Sequence, residues 1–114
     1  MKIELQRPFR KEQGKNRFRG TYRVTDVDSP GCVQVAVTLA TRIQLEQEIK
    51  RQGVKYNDSV LEEISKVLVE TYVNRGGPLV PDCAPAVYDE AIFIDYTDFD
   101  QLAAAAVEYA GAED

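Results

Sequence analysis

The chain contains no histidine and no tryptophan, one methionine and two cysteines among 114 residues. Without imidazole there is no Ser-His or Cys-His nucleophile activation and no metal site built on His ligands. Cys32 and Cys83 form no CxxC pair, and two thiols alone do not complete a structural zinc centre. Their pairing in a disulfide is one reading; in a reducing cytosol, two buried thiols packed as small hydrophobes is the preferred one. No apolar run approaches the roughly 18 residues needed to span a bilayer. The basic N-terminus is not followed by the apolar stretch of a secretory signal, so a cytoplasmic protein is expected.

Charge is absent in a patterned way. Residues 82–114 carry nine acids and no base, whereas residues 1–23 carry eight of the fourteen Lys and Arg against Glu4 and Glu12. The first stretch is +6 and the remainder −11, which together give the net −5. A basic head on an acidic body points to charged partners, or to the two parts meeting each other.

Alternation and turn chemistry suggest the elements. Ile3 and Leu5 mark a short first strand that Pro8 should stop, followed by a polar loop over 10–16. Arg17–Val27 reads as a strand with Phe18, Gly20, Tyr22 and Val24 on one face and Arg17, Arg19, Thr21 and Arg23 on the other. Asp28-Ser29-Pro30-Gly31 is a turn into a β-branched strand, Cys32–Leu39, and the two make an antiparallel hairpin. Thr41 and Gln44 fit the start of a short helix that ends at Gly53, although Ile43 and Leu45 also continue the strand phase.

Ser59–Asn74 predicts one long amphipathic helix, capped by Ser59 with Glu62 and stopped by Gly76-Gly77-Pro78. A proline-bearing connection over 76–87 leads to Ala91–Tyr96, an apolar run expected to be a strand buried on both faces. Asp98 is the expected cap of a last, alanine-rich helix ending at Gly111.

The resulting expectation is one α+β domain over 1–114, a basic N-terminal hairpin (1–40) joined to an acidic helix-strand-helix part (41–114). Its sheet should be mainly antiparallel, in the order βββααβα, with two or three helices on one face.

Three constellations stand out. Arg17, Arg19 and Arg23 share a strand face beside Lys11 and Lys15, and Arg presents a planar fork to phosphate or carboxylate. The aromatics interleaved with these arginines invite a nucleic-acid reading. Alternation, however, sends Phe18 and Tyr22 to the opposite face, away from the cations that a stacking platform needs beside its rings. Carboxylates at Asp82, Asp89, Glu90 and Asp95 form a second, acidic contact surface; 95–100 lacks the spacing and glycine of a calcium loop. The connection holding Cys83 is long and stiff enough to dock a partner.

No P-loop, GxGxxG, GxSxG or HExxH occurs, and no carboxylate pair has a diagnostic spacing. The expectation is a non-catalytic interaction protein with no cofactor and no metal. It binds another protein or a second copy of itself by electrostatic complementarity. The alternatives are a nucleic-acid module using Arg7, Arg10 and the same basic set, and an acidic inhibitor that mimics a phosphate backbone.

Overall fold

The computed structural model of the chain describes residues 1–83 and 91–113. Its four strands are β1 (Lys2–Lys11), β2 (Arg17–Thr25), β3 (Gly31–Thr38) and β4 (Ile92–Phe93), in the spatial order β1-β2-β3-β4. The helices are α1 (Leu39–Arg51), α2 (Asp58–Ile64), α3 (Lys66–Asn74) and α4 (Phe99–Glu113). This is an α+β domain.

The alternation in β2 and β3 is obeyed. Tyr22 and Val24 are fully buried, and the register places Val33 opposite Tyr22 and Val35 opposite Gly20, so the two strands share one apolar face. Leu45, Ile49, Leu61, Ile64 and Leu102 from the helices close over that face in a single core.

Several expectations are corrected. β1 does not stop at Pro8 but runs to Lys11, with register shifts between Leu5 and Arg7 and between Arg7 and Arg10. β1 is an edge strand that ladders on one side only, so a residue without an N–H costs no sheet bond when it faces outward. The shifts absorb the local misfit.

The sheet is mainly antiparallel, as expected, with one parallel pair. β4 runs parallel to β3, with Val35 opposite Ile92 and Ala36 opposite Phe93. Parallel neighbours need a long crossover, and α1–α3 lie within it. The expected doubly buried strand shrinks to two residues. Ile94 is buried, but Phe93 and Tyr96 are 47% and 77% exposed.

α1 begins earlier than its sequence signals suggest. Thr38 is the cap, its Oγ1 accepting the Thr41 N–H at 3.2 Å, and Ile43 is exposed rather than in strand phase. The long helix expected over 59–74 is two helices joined at Ser65, and Asn57 rather than Ser59 caps the first by accepting the Val60 N–H at 3.1 Å. Ser65 is fully buried and donates to the Leu61 carbonyl at 2.7 Å, a bond that competes with the helical ladder and bends it. From the sheet, the Tyr22 hydroxyl donates to the Glu62 carbonyl at 2.6 Å and pins the bend to the core. Burial pushes the Tyr22 phenol well above its usual range.

α3 ends as expected. Gly76 at φ +83 lets its N–H reach the Val73 carbonyl while the Gly77 N–H reaches that of Tyr72. Before α4, Asp95 takes the capping position assigned to Asp98. Its side chain accepts the Thr97 N–H at 2.8 Å, and Asp98 reciprocates by accepting the Asp95 N–H at 3.0 Å. α4 then passes through Gly111 without stopping.

At the start of β3, Gly31 allows another segment to approach. A Cβ there would lie 2.6 Å from the Val80 carbonyl oxygen, which accepts the Cys32 N–H at 2.9 Å. Gly31→Ala must push that backbone away, and should cost about 1–3 kcal/mol of unfolding free energy measured in urea. A variant as stable as wild type would show that Val80 does not pack there.

Candidate electrostatic interface

The face of the sheet opposite the helices carries the arginines. Register confirms that Arg17, Arg19 and Arg23 project together, opposite Thr38, Ala36 and Cys32. β1 adds Arg7 opposite Thr21 and Arg10 opposite Arg19. Two arginines directly across a ladder repel one another, so this pair favours any anion brought to it.

The face is not bare. Cys32 and Val80 exchange both backbone bonds at 2.9 Å, and the chain then turns at Cys83, a non-glycine residue at φ +54. Cys83 is bonded to Cys32 as a disulfide with a Cα–Cα distance of 5.1 Å, and its carbonyl accepts a hydrogen bond from Arg7 Nη1 at 3.3 Å. Cys83 thus bridges from β1 to β3 across β2. This corrects the reading of two free thiols: the residues are 51 apart in sequence, and only the crossover brings them together. Thr21, Gln34 and Ala36 on this face are buried.

Glu12, which sequence reasoning passed over, reorganises the basic set. Its N–H bonds to the Arg17 carbonyl at 2.8 Å, and its carboxylate pairs with the Arg17 guanidinium and, at 2.5 Å, with that of Arg19. Arg19 also donates to Gln34 at 2.5 Å. Burial works to raise the Glu12 pKa. The hydrogen bond from Arg17 and the charges of Arg19, Arg17 and Lys15 outweigh it and hold the carboxyl below its ordinary value of 4.5. A hairpin that closes over 12–17 would have shown the pairing from register alone.

Arg17 and Arg19 are therefore occupied within the chain. Arg10, Lys11, Lys15 and Arg23 are exposed and make no ion pair among the described residues. Lys11 ends β1 rather than hanging from the loop, opposite Phe18, and Lys15 sits in the turn. Across β3 on the same face, Phe93 lies 5.5 Å below the Arg17 guanidinium.

The acidic surface is only partly assembled. Asp82 is exposed beside Cys83, and Asp95 is engaged in capping, its bonds from Thr97 holding it below its usual range. Asp89 and Glu90 lie outside the described residues. A different acidic feature is present instead. Glu63, Glu70 and Glu108 ring a shallow groove of about 310 Å³ between α2–α3 and α4, floored by Ile64, Val67 and Tyr109. Lys66 lies in it and pairs with Glu63 at 3.1 Å.

A larger cleft of about 420 Å³ lies between α3 and β4. Two of its hydroxyls are already committed, Tyr72 donating to the Pro78 carbonyl at 2.6 Å and Thr71 to that of Val67 at 3.0 Å. Among the described residues no helix is long and apolar enough to cross a membrane, and no three Asp, Glu or Cys side chains gather closely enough to hold a metal ion.

Neither known protein families, curated proteins nor solved structures yield a match to this chain. The residues themselves carry the functional argument.

Proposed function

We propose that the protein is a non-catalytic interaction module that binds an anionic surface on another protein, or on a second copy of itself, through its β1–β2 side. The observation that carries this reading is the cluster of exposed cations Arg10, Lys11, Lys15 and Arg23, which make no ion pair among the described residues, in a chain whose net charge is −5. A net-acidic molecule that gathers four exposed cations along β1, β2 and their turn orients that side toward an acidic partner.

The test is binding of a poly-glutamate peptide followed by fluorescence anisotropy. Replacing Arg10, Lys11, Lys15 and Arg23 with Ser should abolish binding, and wild-type binding should weaken by about tenfold between 20 and 300 mM salt. Undiminished binding by the quadruple variant would sink the proposal.

Glu12 is the tuning residue of this surface. Glu12→Gln removes the carboxylate that occupies Arg17 and Arg19, and should tighten poly-glutamate binding by about two- to fivefold. The same residue sets a pH dependence. Because its folded pKa lies below the unfolded one, the pairing of Glu12 with Arg17 and Arg19 stabilises the fold above about pH 4.5 and is lost as pH falls through the lowered value. An NMR titration of Glu12 with a midpoint at or above 4.5 would contradict this.

A nucleic-acid reading gains one observation. Phe93 supplies on the basic face the exposed ring that Phe18 and Tyr22 do not. It predicts that protein purified from lysate at low salt carries material absorbing at 260 nm, shed in high salt. The third reading, a phosphate-mimicking inhibitor, gains no such observation.

The cytoplasmic setting belongs to this proposal only with the thiols reduced. The disulfide favours an oxidising environment, and a thiol count on protein trapped with alkylating reagent in the cell decides between them.

A further inference from the structure

Resting on the interaction reading above, we infer that the chain assembles head to tail. The β1–β2 turn of one copy, bearing Lys11 and Lys15, would seat in the groove ringed by Glu63, Glu70 and Glu108 on the next.

The two halves of this contact are present on one chain and match in charge. Lys11 and Lys15 flank the exposed Gln13-Gly14 tip, and Gly14 at φ +74 makes a tight, projecting turn. In the groove, Lys66 neutralises Glu63, which leaves Glu70 and Glu108 exposed and without an ion pair among the described residues. Two unpaired ammonium groups thus face two unpaired carboxylates. The groove is open to solvent, and Ile64, Val67 and Ala105 give it an apolar lining. That lining suits lysine side chains, whose methylene stems lie along apolar surface while the charged end reaches a carboxylate.

The groove is lined by α2, α3 and α4, whereas Lys11 and Lys15 bound the β1–β2 turn, and neither lysine pairs with Glu63, Glu70 or Glu108 within the chain. The tip is therefore free to meet the groove of a second copy. Because the two surfaces differ, the interface is heterologous, and repetition gives an open chain or a closed ring rather than an isologous pair.

Strand addition is not an alternative route on β1. Pro8, the two register shifts and the exposed Arg10 and Lys11 blunt that edge.

The experiment is sedimentation velocity over a concentration series at 20 and 300 mM salt, on the whole chain with its disulfide intact. Wild type should grow with concentration at low salt and return to monomer at high salt. A tip variant (Lys11→Glu with Lys15→Glu) and a groove variant (Glu70→Lys with Glu108→Lys) should each remain monomeric. All four substitutions are at exposed positions, and circular dichroism checks that each variant folds.

Mixing the two variants is decisive. The tip variant keeps a native groove for the groove variant's native tip, and the reversed tip matches the reversed groove, so the mixture should assemble into alternating chains that grow with concentration as wild type does. A monomeric wild type at low salt, either variant assembling like wild type, or a mixture that stays monomeric would overturn the inference. If wild type stays monomeric yet binds poly-glutamate, only the head-to-tail contact falls. If it does neither, the interaction reading falls with it.

Discussion

Replacing both Cys32 and Cys83 with alanine should lower the stability of the protein by about 4 kcal/mol. The bond closes a loop of 51 residues that contains most of β3 and all of α1, α2 and α3. In the chain-entropy account, cutting such a loop returns roughly that much freedom to the unfolded state. Both cysteines are buried, so the variant also loses packing where the connection meets the sheet. At typical urea sensitivities for a domain of this size, the midpoint should fall by about 2–3 M. Wild type unfolded in dithiothreitol should shift by a similar amount, and a thiol assay on the oxidised, denatured protein should find no free cysteine. Equal midpoints for wild type and double variant would mean that the two sulfurs are not joined in solution.

Tyr22 should be the most damaging single site in the sheet. It is fully buried, belongs to the core face, meets Phe9 edge to face with ring centroids 6.3 Å apart, and holds the α2–α3 bend through its hydroxyl. Tyr22→Ala removes an aromatic volume that the surrounding strands cannot collapse to fill, and should cost about 3–5 kcal/mol. Tyr22→Phe keeps the ring and deletes only the donor to the Glu62 carbonyl, so about 1–2 kcal/mol is expected. The ratio separates packing from hydrogen bonding. If both substitutions cost the same, the hydroxyl carries the site. If the phenylalanine variant matches wild type, the bend does not depend on the sheet.

Period-2 patterning in β2 and β3 was legible because one face of each strand meets the core, and a one-residue slip would have exposed Tyr22, Val24 and three valines. The apolar stripe over 60–72 was legible for the same reason. The break at Ser65 was not, because the stripe runs through it and the side-chain bond to Leu61 is a local competition that periodicity does not record. Pro8 stops a strand only when its missing donor is needed, which depends on which strand lies at the edge. The parallel placement of β4, the Cys32–Cys83 bond and the approach of Val80 to Gly31 all depend on where a long crossover returns the chain. No local signal carries that information.

The basic surface was half legible. Strand phase identified Arg17, Arg19 and Arg23 as neighbours, but a residue's availability depends on what pairs with it. Glu12 takes two of the three, leaving Arg10, Lys11, Lys15 and Arg23 to face outward. Phe93 joined the face only through the pairing of β4 with β3.

α4 packs on α1 and α2 and gives Leu102, Ala103 and Ala106 to the interior. It is also the last of these elements to emerge during synthesis. At ordinary elongation rates its fifteen residues take about 1–3 s, a period in which the nascent chain can pair β1, β2 and β3 but cannot close the apolar side of α1 and α2. For those seconds the ribosome holds a finished hairpin sheet with a half-covered interior, which is the kind of surface that chaperones bind.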